Sequence, residues 1–437
     1  MNPSPSNDSP ASRSFARWSV SLLIAINLFN YIDRQVVAGL TLQIKEEFSA
    51  SDEQIGWLMP ACLVSYMLTA PIFGWLSDRY RRWLIVSIGV VLWSVASGLS
   101  GLAGSIGVLL FTRMFVGIGE AAYAPTAPTI ISDLYSVEKR GRMMSLFYAA
   151  IPVGSALGYL LGGVVLGRGL SWHWAFFIVV PPGILMGFIA FKMRDPERTI
   201  KDGKHKATRR EFFDLLKIPS FIINTIGMAA MTFALGGIAY WMPKYIVWKQ
   251  HTDMTDRVAV DLATADANAV FGPIIVVSGL LATLVGGWLG DKLRKKFSGA
   301  YFLVSGISAL AGFPLVWAIT VTPFPEHWYQ PGAWYLIFAA CCCLFFNTGP
   351  TNTILANVTK PTIRAAAFAM NIFLIHVFGD AISPPLIGKI NDLNNGDMNP
   401  GIRIVSCSVL ISGIVWLVGC RYLKHDTDAA ERQTLQG

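Results

Sequence analysis

The sequence predicts an all-α membrane protein with twelve transmembrane helices in two six-helix bundles. Three observations carry that prediction. The 437 residues are 53% hydrophobic and only 14% charged, where a soluble domain carries about 25% charged residues. The apolar residues gather into twelve stretches, each near the ~20 residues needed to cross a hydrocarbon core. A nine-residue loop also recurs once, 213 residues further along the chain.

The spans are expected at roughly 18–44, 54–76, 83–104, 107–132, 143–166, 172–191, 219–243, 267–290, 299–321, 333–357, 365–388 and 401–421. Orientation follows from the basic residues of the loops. Of the 35 Lys and Arg residues, 26 fall on the side that holds both termini and 7 on the other, counting Arg403 at the edge of the last span; the last two, Arg34 and Arg113, lie deep inside spans. Both termini are therefore expected in the cytoplasm, across a bacterial-type inner membrane. The net charge of +8 then reflects topology, and no nucleic-acid partner is expected.

The domain organisation expected is a disordered cytoplasmic tail over 1–17, a first bundle over 18–191, a linker over 192–218, a second bundle over 219–424 and a tail over 425–437. The linker is polar and basic, and residues 209–216 suit a short helix on the anionic inner leaflet. The first seventeen residues show no signal-peptide cleavage pattern. The six cysteines lie in or beside apolar segments without metal-ligand spacing, so free buried thiols are expected, with no disulfide framework and no metal.

The recurring loop reads GWLSDRYRR at 74–82 and GWLGDKLRK at 287–295. Gly, Trp, Leu and Asp match in place, so the two halves are internally related. The small residue permits a tight helix end, the Asp can accept bonds from a helix N-terminus, and the basic residues anchor the loop at the interface. The first copy resembles the signature loop of the major facilitator superfamily, between spans 2 and 3. The resemblance implies the major facilitator fold. It implies a gating role for Gly74, Asp78, Arg79 and Arg82, and more weakly for Gly287 and Asp291. Tyr80 and Arg81 depart from the pattern, where many members have a Gly.

Ionisable groups at bilayer depth are functional candidates by default. Asp33 and Arg34 lie about 22 Å along span 1 at 1.5 Å per residue. Arg113 and Glu120 of span 4 are seven residues apart and share a helical face. If spans 1 and 4 face each other, an Asp33–Arg113 ion pair offsets part of the desolvation cost. Protonating the acid then frees the arginine for an anionic substrate, and Glu120 relays or holds the proton. The alternative is a purely structural charge network. In span 11, His376 and Asp380 are at i and i+4, fit for proton linkage or substrate contact, or for a satisfied pair near the outer mouth.

Residues 221–242 of span 7 carry no group charged at neutral pH and are rich in Met, Phe, Gly and Trp. Span 10 offers Asn347, Thr348, Thr351, Asn352 and Asn357 as polar handles. A cavity charged on one half and apolar on the other suits an amphiphile with an anionic head. Its expected contacts are Arg113, Glu120, Asn347, Tyr240, Trp241 and His376. Gly154, Gly158 and Gly162 of span 5 sit at four-residue spacing, which permits close helix approach.

Several stretches together resemble the spinster branch: NYIDRQ (30–35), RMFVGIGEAAYAPTAPTIISD (113–133), RGRMMSLFYAAIPVGSALGYLLGG (140–163), GPTNTILANV (349–358) and FAMNIFLIHVFGDAISPPLIG (368–388). The resemblance implies proton-coupled movement of lysophospholipids or sphingosine phosphate. It places Asp33 and Arg34 in the proton site and turns Arg113 and Glu120 toward the cavity. Protons are the expected coupling ion, without any cofactor, and the expected partners are the amphiphile and membrane lipids around a monomer. A multidrug or small organic-anion carrier is the alternative. A membrane lipid enzyme is remote, because no catalytic triad, metal cluster or nucleotide loop is present; His173 and His425 are isolated at interfaces.

Overall fold

The computed structural model describes residues 10–135, 137–196, 213–250, 254–324, 332–360 and 363–435. Among them, twelve helices are long and apolar enough to cross a membrane, and no strand occurs. They are Ser14–Ala38 (span 1), Asp52–Arg79 (span 2), Arg82–Ser100 (span 3), Ile106–Leu134 (span 4), Arg142–Gly167 (span 5), His173–Lys192 (span 6), Pro219–Lys249 (span 7), Arg257–Arg294 (span 8), Ala300–Ile319 (span 9), Ala333–Val358 (span 10), Ala366–Leu393 (span 11) and Asn399–Gly419 (span 12).

The number of spans is as expected; several ends are not. The first helix begins at Pro10, inside the expected tail, and stops at Ala38. Gly39 and Leu40 form a turn before a separate helix, Thr41–Phe48. Spans 7 and 8 run beyond their apolar windows: span 7 carries Lys244 into a buried position, and span 8 continues through exposed charged residues such as Arg257, Asp266 and Lys292. Residues 213–215 are helical. Leu216 is in a turn, and residues 209–212 of the expected interfacial helix, with the rest of 197–212, lie outside the described residues. All six cysteines are free.

The chain forms two compact units, Met1–Leu40 with Ala61–Asp202 and Thr41–Pro60 with Gly203–Gly437. Residues 41–60, the link after span 1 and the start of span 2, therefore pack with the second unit.

Unit 1 is held by close backbone approach. A Cβ on Gly154 would stand 2.6 Å from Leu28 O, and one on Gly158 would stand 2.7 Å from Ile32 O. Span 5 thus lies directly on span 1, as small residues allow where no water drives association. Spans 3 and 4 cross at Gly89 and Gly119 in the same way. Around these crossings pack Trp83, Trp93, Tyr123 and Phe147, all buried, and the Tyr123 hydroxyl donates to Leu23 O at 2.7 Å. Span 4 meets span 2 at Gly117, whose Cβ would collide with Cys62 O and Ser65 Oγ. Gly117→Val is expected to lower the stability of the purified protein by about 3 kcal/mol or more through overpacking. Gly107→Val, where a Cβ meets only Ser105 Oγ at 4.0 Å, should leave the thermal midpoint unchanged. Equal midpoints for the two variants would contradict this packing.

In unit 2, Ser412 Oγ donates to Gly227 O at 2.8 Å between spans 12 and 7, and Gly306 faces Gly413 between spans 9 and 12. A C-terminal helix, Leu423–Leu435, docks through Leu423. Asp426 on that helix accepts from Ser220 N at 2.8 Å, at the start of span 7.

Candidate functional site

Asp33 and Arg34 are neighbours on span 1, so their side chains diverge by roughly 100° around the helix. Each finds an opposite charge on span 4. Arg113 Nη2 donates to Asp33 Oδ2 at 2.6 Å, and both side chains are 2% exposed. Arg34 Nε donates to Glu120 at 2.8 Å, with a second bond from its Nη2. Two neighbouring residues of span 1 thus pair with two residues seven apart on span 4, giving two crossed ion pairs. Glu120, expected to relay or hold the proton, is bonded to Arg34. Four charges that sum to zero are thereby buried with partners, which offsets much of their desolvation.

The two pairs differ in access. The Arg34 side chain is 19% exposed, and its Cζ lies 5.5 Å from the Tyr31 ring and 5.7 Å from the Tyr66 ring. Arg113 is sealed, with its Cζ 5.7 Å from the Phe176 ring. The Ser97 hydroxyl of span 3 donates to Asp33 Oδ1. Arg113 Nη1, Glu120 Oε1 and Asn30 Nδ2 are buried without a hydrogen-bond partner among the described residues. Leaving such atoms unpaired costs about 1–3 kcal/mol each, so the cluster retains donor and acceptor capacity. The sequence reading missed Ser97, Tyr66 and Phe176, since a lone hydroxyl or ring in an apolar helix carries no signal. Tyr31, at i−3 from Arg34, was within reach of helical spacing.

Spans 4 and 10 occupy equivalent places in the two halves, and both are interrupted. Span 4 breaks at residues 124–126, and span 10 at 346–347. Asn347 sits at the second break, buried, its Nδ2 donating to Leu344 O at 2.5 Å. Nearby, Asn224 Nδ2 donates to Thr351 O at 3.1 Å and Thr225 Oγ1 to Asn371 Oδ1 at 2.8 Å. Spans 7, 10 and 11 thus share an uncharged polar cluster.

Two expected contacts are engaged elsewhere. Tyr240 and Trp241 are fully buried. The Tyr240 hydroxyl donates to Ile55 O at 2.5 Å, and Trp241 Nε1 donates to Pro384 O at 2.9 Å. His376 Nδ1 lies 2.9 Å from Asp380 Oδ1, on a π-helical turn, His376–Asp380; this is the geometry of a satisfied pair. The second half also holds a buried charge that the apolar reading of 221–242 did not include. Span 7 continues to Lys244, 6% exposed.

The repeated loop keeps its local geometry in both copies. Arg79 stacks over Trp75 at 3.9 Å, and Lys292 lies over Trp288 at 4.7 Å, the same i, i+4 pair 213 residues apart. Gly74 and Gly287 have open space where a Cβ would be. Arg82 pairs with Asp133 at 2.6 Å, and Asp195 accepts from Arg82 N and Trp83 N at 2.8 and 3.0 Å, closing the start of span 3. Asp291 accepts from the Tyr301 hydroxyl at 2.8 Å.

The family profile of the Major Facilitator Superfamily matches residues 23–432. Protein spinster of Drosophila melanogaster is 34% identical over 393 residues, covering 89% of this chain; the chain spans 64% of that relative's length. Sphingosine-1-phosphate transporter SPNS2 of Danio rerio is 33% identical over 431 residues, covering 94% of this chain and 85% of the relative. Among solved structures, a bacterial homologue of the human lysosomal transporter spinster, inward-facing and unoccupied, has a TM-score of 0.76. It is 21% identical, with 96% of this chain and 98% of that chain covered; at that identity the likeness shows the fold alone.

Proposed function

Because the chain belongs to the Major Facilitator Superfamily, and within it to the spinster proteins, it is a membrane transporter and not an enzyme, and we propose that it is a proton-coupled carrier of an amphiphilic anion. The substrate class is a lysophospholipid or a sphingosine-phosphate-like lipid, moved by alternating access about a midplane site. The observation that carries this reading is the sealed Asp33–Arg113 pair. Protonation of Asp33 releases Arg113, and a freed guanidinium fork binds a phosphate strongly. Arg34, the more open guanidinium, meets the head group first. The relative named for sphingosine 1-phosphate supports the lipid class. The basic-residue asymmetry supports cytoplasmic termini in a bacterial-type inner membrane, and the protein acts as a monomer.

A small organic anion or drug is the second reading, favoured by the polar cluster of Asn224, Thr225 and Asn371. The test is flux of labelled lysophospholipid and of labelled sphingosine 1-phosphate into proteoliposomes, with and without an imposed pH gradient. Flux that rises with the gradient is expected. Flux equal to empty liposomes for both lipids would overturn the lipid reading and favour the second.

A further inference from the structure

Unit 2 holds a second buried charge cluster, centred on Asp52 at the start of span 2. Lys244 Nζ donates to Asp52 Oδ1 at 2.5 Å, and Lys45 Nζ donates to the same oxygen. Asn391 Nδ2 approaches the other oxygen at 3.4 Å. The Asp52 and Lys244 side chains are 2% and 7% exposed. The backbone is held as firmly. Asp392 accepts from Asp52 N and Glu53 N, both at 2.9 Å. A Cβ on Gly56 would stand 2.5 Å from Pro384 O, and one on Gly388 would collide with Asp52 O. Further along, Gln43 Nε2 donates to Asp261 Oδ1 at 2.9 Å.

Residues 41–60 are thus clipped onto spans 7, 8 and 11 by side-chain and backbone bonds. Both ends of the same segment continue as covalent chain into unit 1. We propose that Asp52, with Lys45 and Lys244, is a gating cluster of the transport reaction: a lock that holds this segment on unit 2 in one state of the cycle and releases it in the other. This rests on the alternating-access reading above. When two bundles rock against each other, a segment tied covalently to one and by bonds to the other must let go of the second. The slack is small. Only Gly39 and Leu40 separate the end of span 1 from the helix Thr41–Phe48, and two residues reach at most about 7 Å. On the far side, Trp57 alone separates Asp52–Gly56 from the rest of span 2.

The chemistry suits release. Two ammonium groups converge on one carboxylate oxygen, so losing that carboxylate leaves two like charges facing each other. Lys45, Asp52 and Lys244 also border a cavity of about 590 Å³, with Trp248 and Met398. A space of that size bordered by charged side chains admits water beside them, so the charges are hydrated as the lock opens.

The first test is hydrogen–deuterium exchange of the full-length protein in lipid nanodiscs. Asp52→Asn should speed exchange at least tenfold in peptides covering 41–60 and 383–393, with spans 3 to 6 unchanged. Lys45→Gln, at a side chain 35% exposed, should speed the same peptides by a smaller factor, and it carries the test if Asp52→Asn misfolds. Unchanged exchange over 41–60 in the folded variants overturns the lock. The second test joins Gln43→Cys to Asp261→Cys with a short cleavable thiol cross-linker, the native cysteines being replaced by alanine. Lysophospholipid flux should stop on cross-linking and return on cleavage; full flux while cross-linked overturns the proposal. Absence of flux before cross-linking counts against the lipid reading, and exchange then decides the lock by itself.

Discussion

Asp33→Asn is expected to bring gradient-driven flux to the level of empty liposomes while the protein stays folded in the membrane. Asparagine has the shape of aspartate but takes up no proton at this site. Its Oδ1 still accepts a bond from Ser97 or Arg113, so the crossing of spans 1, 3 and 4 keeps a polar contact where the wild type has two. Removing the carboxylate charge also leaves the Arg113 guanidinium buried without its counter-ion, and breaking a buried pair in this way costs about 3–5 kcal/mol. Size-exclusion behaviour should therefore stay that of a folded protein with a lowered thermal midpoint, whereas the ratio of flux with and without the gradient falls to one. A variant that keeps that ratio would remove Asp33 from proton coupling.

Arg113→Ala should cost at least 100-fold in flux, with or without a gradient. The truncation removes the sealed guanidinium and leaves Asp33 as a buried acid without its main partner. An uncompensated buried charge costs about 3–5 kcal/mol, which the acid relieves by holding a proton permanently; the switch is then fixed in one position. Arg113→Lys separates charge from geometry. Lysine keeps the positive charge but has no planar fork, so about a tenfold loss is expected if a phosphate is gripped in two-pronged fashion. Binding of sphingosine 1-phosphate to the purified variants by isothermal calorimetry reads the same order: wild type, then lysine, then alanine. Unchanged affinity in Arg113→Ala would show that the head group is held elsewhere, with Arg34 the first place to look.

The double pair of charges was half legible. The seven-residue step from Arg113 to Glu120 follows from helical periodicity, and their cost in hydrocarbon made them candidates. Which acid meets which base depends on how spans 1 and 4 are placed, and each is seated against other spans: Gly154 and Gly158 bring span 5 onto span 1, Gly89 and Gly119 bring span 3 onto span 4, and Gly117 brings span 4 onto span 2. Tyr240 and Trp241 show the opposite case. As aromatic residues on an apolar helix they read as cavity lining, yet their polar atoms bond Ile55 and Pro384. Lys244 was assigned to a loop because it ends the apolar window. In the structure the helix carries it inward, since Asp52 and Lys45 come from a distant part of the chain to meet it.

By itself the sequence determined the twelve spans, the two related halves, the sidedness of the basic residues and the four charges in spans 1 and 4. Each of these depends on local quantities: stretch length against the hydrocarbon core, residue type at a fixed helical step, and the repeated loop. Only the tertiary structure decided the crossed pairing of those charges, the unequal access to Arg34 and Arg113, and the attachment of residues 41–60 to unit 2. All three depend on contacts between segments tens to hundreds of residues apart, where the fit of backbone against backbone selects the partner and the linear pattern carries no record of it.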